Sequence, residues 1–230
     1  MYVKKRGVCL ESANNKKHTC IAYFNPDVEV YNKAHQDLLW KFNAGDGYDN
    51  FNDFVSEEAI GYANNGNGVT YLVWNIFCGE DGSEVKRELV AYYTLAATSI
   101  PYVDRIRLDE EEAKISGKEF DIQTCGISAL EIKMFAVNEK YQDTFYEYEG
   151  IELPVSAWVM RSIIDEANSM INTVLGFKAL FLHALPNAEK FYENNGFHPV
   201  EENMQPLHSV DSDYKAMYLS LRKVHMNYDD

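Results

Sequence analysis

The sequence predicts a mixed α/β fold centred on a strand–helix–strand unit within residues 129–197. Residues 130–137 are predicted to form a strand, because Leu130, Ile132 and Met134 alternate with the polar Glu131 and Lys133, which is the period of a half-buried strand. After Pro154, apolar residues recur every three to four positions, which is typical of an amphipathic helix. Residues 178–184 are apolar on both faces, as expected for a central parallel strand. A strand, a crossover helix and a second strand in this order form a βαβ unit.

The ends of these elements are predicted from residues with special backbone requirements. Residues 138–153 are expected to form a loop. Pro154 is expected to open the helix, because its missing N–H would have no partner in the first turn. Gly176 is expected to end that helix in the left-handed conformation. Asn187 is expected to cap a second, short helix that Gly196 ends.

Shorter patterns predict the remaining elements. Runs of β-branched and aromatic residues indicate strands, and the stretches rich in Gly and Asn between them indicate turns. The expected strands are residues 20–24, 69–77, 88–97 and 214–221, with helices over residues 28–42 and 51–63 and turns at residues 64–68 and 79–82. Residues 104–124 are expected to form a polar connection. Its acidic run at residues 109–112 is interpreted as a solvated surface rather than a metal site, because no spaced His or Asp pattern accompanies it.

Composition narrows the class of function. The formal net charge of -15 disfavours binding of the whole surface to a phosphate backbone, although it does not exclude a local basic patch. The same charge favours cationic partners such as amines. The four cysteines lack paired C-x-x-C spacing, which argues against a zinc or redox site and for reduced thiols. No secretory signal or membrane-spanning stretch is visible, so a cytoplasmic protein without membrane association is expected.

Two stretches resemble the GNAT family of N-acetyltransferases. Asn187-Ala-Glu-Lys-Phe-Tyr-Glu-Asn-Asn-Gly-Phe197 resembles the family signature N/E-x-A-x-x-F-Y-x-x-x-G-F. Residues 90–100 are similar to a strand of the subgroup that contains toxin–antitoxin acetyltransferases. The resemblance implies the acyl-CoA N-acyltransferase fold, with a central, mostly antiparallel twisted sheet, a splayed parallel strand pair and flanking helices. It also implies one domain over residues 1–230, with its core in residues 69–221, that transfers an acetyl group from acetyl-CoA to an amine.

The resemblance also implies roles for individual residues. Tyr192 would be the general acid that protonates the departing coenzyme thiolate. The other implied positions all contact acetyl-CoA: the strand backbone at Phe135, Ala136 and Val137 along the pantetheine arm, the helix N-terminus at Val155, Ser156 and Ala157 under the pyrophosphate, and Asn187 with Lys190 beside them. Each assignment has an alternative. The strand at Phe135–Val137 could be an ordinary core strand, Ser156 could only cap the helix locally, Tyr192 could be a core tyrosine and Lys190 a surface lysine. No metal is expected.

The sequence departs from the family at the pyrophosphate loop. The family pattern Q/R-x-x-G-x-G/A begins at Gln142, but an acidic insertion precedes Pro154, which supplies no N–H. Two functions therefore stay open: a working N-acetyltransferase, or a binding or regulatory protein that kept the fold and lost normal use of acetyl-CoA.

The acceptor and the general base are left open by the sequence. The acceptor could be a small-molecule amine or a protein or aminoacyl amine; the toxin-like strand points to charged tRNA, whereas the acidic balance argues against RNA. Glu131 could act as a base or be a salt-bridged strand residue, and His183 could relay a proton or be a hydrogen-bonded core histidine. The oligomeric state is also open, with a dimer possible.

Overall fold

The computed structural model describes residues 19–204 and 214–221. Its strands are β1 (Thr19–Ile21), β2 (Pro26–Val30), β3 (Val69–Cys78), β4 (Glu84–Arg107), β5 (Phe120–Val137), β6 (Thr144–Tyr148), β7 (Ile151–Pro154), β8 (Ala179–Ala184), β9 (His198–Pro199) and β10 (Lys215–Ser220). Its α-helices are α1 (Asp49–Asp53), α2 (Ala59–Asn64), α3 (Glu110–Ser116), α4 (Glu139–Gln142), α5 (Val155–Thr173) and α6 (Glu189–Asn194). A 3₁₀ helix covers Lys33–Lys41, and a π-helical turn at Phe54–Glu58 joins α1 to α2. The expectation of no leader peptide concerns residues 1–18, outside the described residues.

The chain forms two compact units, each assembled from two separated stretches. The first contains the described residues up to Leu95 together with Met134–Ile163. The second contains Ala96–Lys133 and the described residues from Ile164 onward. Strands β4 and β5 and helix α5 each pass from one unit into the other.

The first unit contains an antiparallel meander and a small second sheet. β3 pairs antiparallel with β2 and with β4. Leu72, Trp74 and Tyr92 on these strands are buried with Leu39 of the 3₁₀ helix and Phe54 of the π-helical turn, so the helical segments cover an apolar sheet face. The small sheet has the strand order β1-β6-β7, with β1 parallel to β6 and β6 antiparallel to β7.

The second unit contains the parallel strand pair. β5 and β8 are parallel over the register from Ala129–Ala179 to Ile132–Leu182. β10 is antiparallel to both β8 and β9. The predicted fold class, a mixed α/β protein with a mostly antiparallel sheet and a parallel pair, is therefore confirmed.

The prediction of a loop over residues 138–153 is wrong. α4 and a β-hairpin of β6 and β7 occupy this stretch. Thr144 and Tyr146 are buried and alternate with less buried neighbours, which is the pattern of a strand. The two turn residues, Glu149 and Gly150, have φ angles of 52° and 82°, as a type I′ hairpin turn requires. The acidic residues concealed the aromatic alternation in the sequence.

Three predicted helix ends also need correction. Pro154 is the last residue of β7, where it pairs with Phe145, and α5 begins at Val155. α5 ends at Thr173, before Gly176, and Gly176 is not among the glycines with positive φ. The N-cap position of α6 is Ala188 rather than Asn187, and the alanine side chain cannot cap the helix.

Two other predicted segments differ from the structure. The connection over residues 104–124 is shorter than expected, because β4 extends to Arg107, β5 starts at Phe120, and α3 lies between them. Asp109 caps α3 by accepting hydrogen bonds from the Glu111 and Glu112 amides, and this acidic run is exposed. The helix predicted over residues 28–42 is in fact β2 followed by the 3₁₀ helix.

Candidate functional site

The N-terminus of α5 belongs to the first unit and directly follows the β6–β7 hairpin. The side chain of Val155 is buried, and those of Ser156 and Ala157 are half-buried. The first N–H groups of this 19-residue helix have no carbonyl partner within the helix, and the helix dipole makes this end positive. This end of α5 can therefore attract an anion such as a pyrophosphate.

The ring of Phe24 connects the hairpin to the start of α5. Its centroid lies 4.8 Å from the ring of Tyr146 in β6 and 5.4 Å from the ring of Trp158 in the first turn of α5. The hairpin is therefore packed against aromatic neighbours rather than loosely inserted. Its three acidic residues all have exposed side chains: Glu147, Glu149 and Glu152.

Gln142 fixes the end of β5. Its Nε2 donates to the Val137 carbonyl at 3.0 Å and to the Ala44 carbonyl at 2.8 Å. Ala136 and Val137 are buried, and Phe135 is half-buried. Gln142 aligns with the first position of the family's phosphate-loop pattern, but its side chain here holds the main chain of β5.

A charged cluster around Glu88 anchors α4 to β4. The carboxylate accepts from the Tyr141 hydroxyl at 2.6 Å, and it is also paired with Lys86 and Lys140. Desolvation by itself raises the pKa of Glu88, but these hydrogen bonds outweigh it and lower the pKa to about 2. This cluster could not be predicted from the sequence, because the partners come from distant positions in the chain.

Tyr192 belongs to the second unit and lies in α6. Its side chain packs between the rings of Phe191 and Phe197, at centroid distances of 5.3 and 5.8 Å, and the residue is only 8% exposed. Desolvation by burial raises the pKa of Tyr192 well above that of a free phenol. The hydroxyl therefore keeps its proton at neutral pH and can act only as a proton donor there.

The C-terminal end of α6 holds Tyr192 in place. The Phe197 N–H donates to the Tyr192 carbonyl and the Gly196 N–H donates to the Glu193 carbonyl, which together form a Schellman motif. Gly196 adopts a φ of 89°, so the prediction that it ends this helix is confirmed. The Gly-Phe pair of the signature therefore has a structural role in closing the helix.

Asn187 and Lys190 lie beside Tyr192 in sequence, and both are exposed. The Lys190 Nζ is 3.1 Å from the Glu193 carboxylate, one turn along α6. An exposed ion pair of this kind contributes little to stability, so Lys190 can exchange this partner for another anion at small cost.

The parallel strand pair of the second unit carries a polar cluster of Glu131, Lys133 and His183. Glu131 is buried, and its carboxylate lies 2.7 Å from the Lys133 Nζ and 3.6 Å from the His183 Nδ1. Desolvation by burial raises the pKa of Glu131, but the contacts with His183 and Lys133 outweigh it and lower the pKa below its usual value. The contact between Glu131 and His183 could not be predicted, because the register that pairs β5 with β8 is not visible in the sequence.

The predicted site residues therefore fall into two groups. Phe135–Val137 and Val155–Ala157 belong to the first unit, whereas Asn187, Lys190 and Tyr192 belong to the second. Within the described residues, no group of three or more His, Cys, Asp or Glu side chains could hold a metal ion. No helix in that part of the chain is long and apolar enough to cross a membrane.

Comparison with solved structures identifies proteins of the same fold. A Tyr-to-Phe mutant of the toxin AtaT superposes with a TM-score of 0.55 at 18% identity, covering 90% of this chain and 96% of that one. AtaTR bound with AcCoA gives a TM-score of 0.52 at 19% identity, covering 85% and 94%. AtaT complexed with acetyl-methionyl-tRNAfMet gives a TM-score of 0.51 at 18% identity, covering 85% and 95%.

Sequence comparison alone finds no relative. No protein-family profile matches the chain, and a comparison with curated protein sequences finds no match. The structural likeness shows that this chain shares the fold of these toxins, which agrees with the fold implied by the resemblance in the sequence.

Proposed function

We propose that this protein is an N-acetyltransferase that transfers the acetyl group of acetyl-CoA to an amine. The observation that carries the proposal is Tyr192, a buried and protonated phenol on α6, which follows the parallel β5–β8 pair. The fold is shared with a protein that has been solved with AcCoA bound. A domain over residues 1–230 and a cytoplasmic location remain predictions.

In this proposal, backbone groups hold the cosubstrate. The N-terminal amides of α5 at Val155, Ser156 and Ala157 would bind the pyrophosphate, helped by the positive end of the helix dipole. The backbone of β5 at Phe135–Val137 would pair with the amide groups of the pantetheine arm. Asn187 and Lys190 would contribute an amide and a mobile cation.

The reaction requires one net proton transfer from nitrogen to sulfur. The amine lone pair attacks the thioester carbonyl carbon, the C–N bond forms and the C–S bond breaks. Tyr192 would donate its hydroxyl proton to the departing thiolate, which prevents the thiolate from attacking the product amide. A donor with a raised pKa matches this task when the thiolate is itself desolvated, because burial raises the basicity of both groups.

We propose an amine acceptor without a more specific identity. The net charge of -15 favours cationic acceptors by long-range attraction. AtaT, which shares the fold, has been solved with acetyl-methionyl-tRNAfMet, so an aminoacyl amine belongs among the acceptors to be tested.

A second candidate function is supported by the β6–β7 hairpin. This hairpin ends in Pro154, which has no N–H, and presents exposed glutamates immediately before α5. Both features weaken a phosphate site. They favour a protein that uses the fold to bind a partner without normal turnover of acetyl-CoA.

Calorimetric titration with acetyl-CoA, followed by a thiol-release assay, tests the proposal. The acceptors would be glycinamide, spermidine, a short peptide and methionyl-tRNA. We expect saturable binding by the wild type, and a loss of kcat of about 10²–10⁴-fold in Tyr192→Phe with unchanged acetyl-CoA affinity. Tyr214→Phe, an exposed tyrosine of the same unit, is the control and should behave as the wild type.

Two results would contradict this proposal. Absence of binding at millimolar acetyl-CoA would favour the second candidate function. Full turnover by Tyr192→Phe would leave the enzyme without its assigned acid.

A further inference from the structure

One face of the parallel strand pair brings a carboxylate and an imidazole together. The register places Glu131 of β5 opposite Phe181 of β8. Because side chains two apart on a strand share a face, Lys133 and His183 project from that same face. The opposite face is apolar and buried, with Leu130, Leu180 and Leu182. The polar side chains are therefore confined to one side of the sheet, where they can act together.

The carboxylate of Glu131 is already engaged. Its Oε2 lies 2.7 Å from the Lys133 Nζ, and its side chain is only 7% exposed. A carboxylate paired with an ammonium ion at this distance holds its negative charge and is a weak acceptor for a further proton. Glu131 is therefore suited to orient and stabilise a neighbouring cation rather than to act as the base itself.

The imidazole of His183 has one nitrogen facing this carboxylate and one that is not engaged. Its Nδ1 lies 3.6 Å from the Glu131 Oε1, a distance for an ion pair rather than for a formed hydrogen bond. Its Nε2 is buried and has no hydrogen-bond partner among the described residues. The Phe181 ring meets the imidazole edge to face at 4.9 Å and limits its rotation. A histidine retained only for packing would be expected to have partners on both nitrogens.

On the two strands paired with β8, the described residues beside His183 are as follows. Lys133 and Glu131 approach from β5, and the other neighbouring strand, β10, places the uncharged Ala216 directly opposite. Tyr218, two residues further on β10, donates its hydroxyl to Glu201 at 3.1 Å. The carboxylate of Glu131 is thus the negative charge that the structure places beside the His183 imidazole.

We propose that His183 is the general base of the acetyl transfer and that Glu131 is its positioning residue. The inference rests on the proposed acetyltransferase function. His183 Nε2 accepts the proton that the acceptor nitrogen loses as its C–N bond forms, directly or through one water. The resulting imidazolium is stabilised by the Glu131 carboxylate. Tyr192 supplies the proton to sulfur, and exchange with solvent returns one proton from His183 to Tyr192, so the balance closes.

The test compares the pH dependence of kcat/KM in the wild type and in His183→Gln. The acceptor is the one of the four named above that is turned over fastest. We expect His183→Gln to lose about 10²–10⁴-fold in kcat, to bind acetyl-CoA as the wild type does, and to lose the rise of kcat/KM with pH that a neutral imidazole base imposes. His198→Gln, an exposed histidine on β9 of the same unit, is the matched control and should keep both.

A second pair of variants separates chemistry from folding. Added imidazole should restore turnover to His183→Ala but not to Tyr192→Phe, which a purely structural histidine does not predict. Glu131→Gln should lower kcat less than His183→Gln and shift the acid limb of the profile to lower pH, because an imidazolium without its counterion loses its proton more readily.

The outcomes distinguish the two proposals. If His183→Gln keeps the wild-type kcat and pH profile, or if imidazole fails to rescue a folded His183→Ala, the assignment of His183 is overturned and the acetyltransferase function stands. If the wild type itself neither binds acetyl-CoA nor releases thiol, the function and this assignment are both overturned.

Discussion

Two regions of the molecule differ in how closely they follow the GNAT sequence pattern. One, the hairpin region, consists of the β6–β7 hairpin and the start of α5. The other, the α6 region, consists of α6 and β8. In the α6 region, the signature residues form a buried tyrosine and a Schellman motif at Gly196. In the hairpin region, the glycine-rich loop is replaced by two strands and a proline. The comparison teaches that one part of a family's sequence pattern can persist while another part of the same chain is built on a different backbone.

The largest effect is expected from the backbone of the rebuilt region. Gly150 has a φ of 82° in the hairpin turn, whereas Gly176, which was predicted to be left-handed, does not have positive φ. A side chain at positive φ costs about 1–2 kcal/mol, so Gly150→Ala should lower the free energy of unfolding by that amount. Gly176→Ala is the matched control and should be neutral or stabilising by about 0.4–1 kcal/mol, because an added Cβ meets open space there. Urea unfolding measures both.

Equal destabilisation by the two substitutions would show that the hairpin turn is not held at positive φ. A destabilisation by Gly176→Ala alone would reverse the assignment of the two glycines.

A pH-dependent effect is expected from the cluster that anchors α4. The pKa of Glu88 is lowered to about 2, below its usual value near 4.5. A lowered pKa stabilises the folded state above the unfolded-state value, and that contribution is lost as the pH falls from about 4.5 through about 2. Glu88→Gln should therefore be less stable than the wild type at pH 6, and the difference should shrink at pH 3. Glu80→Gln, an exposed residue in the β3–β4 turn, should show no such trend.

The same difference in stability between Glu88→Gln and the wild type at pH 6 and at pH 3 would contradict this account. The readout is the difference in urea midpoints at each pH, with the slope held constant.

The smallest effect is expected from the exposed acids of the hairpin. Replacing Glu147, Glu149 and Glu152 by Gln should strengthen acetyl-CoA binding several-fold if the pyrophosphate lies at the start of α5. The reason is that the negative carboxylates of the wild type repel the negative pyrophosphate. Salt should reduce the gain, since the Debye length falls to about 8 Å at 0.15 M. The same number of substitutions at the exposed acids of α3, Glu110, Glu111 and Glu112, controls for net charge.

An equal gain in acetyl-CoA affinity in both triple variants would assign the effect to overall charge. No gain in either variant would contradict the placement of the pyrophosphate at the start of α5. Calorimetry at two salt concentrations supplies the measurement.

The sequence was informative where local patterns coincide with tertiary structure. The strands around residues 130–137 and 178–184 and the turn at Gly196 follow from periodicity and backbone preference, and the structure contains them. The hairpin was missed because Glu147, Glu149 and Glu152 gave the stretch a loop-like composition, while the burial of Tyr146 depends on Phe24, far away in sequence.

Partnerships within the candidate site could not be predicted. The contact of His183 with Glu131 depends on the register of two strands separated by a long helix, and neither residue is marked by local spacing. Gln142 was aligned to a phosphate-binding position because a pattern comparison reads order along the chain, whereas its two main-chain bonds depend on where β5 ends.

The interleaved construction of the two units has a practical consequence for dissecting this protein. Since β4, β5 and α5 each cross from one unit to the other, no single cut of the polypeptide yields either unit as an intact, contiguous fragment. A truncation after residue 95 or 133 would remove strands from both. A split version must therefore be tested as a pair of complementing fragments, with the cut placed in an exposed turn such as the one at Gly82.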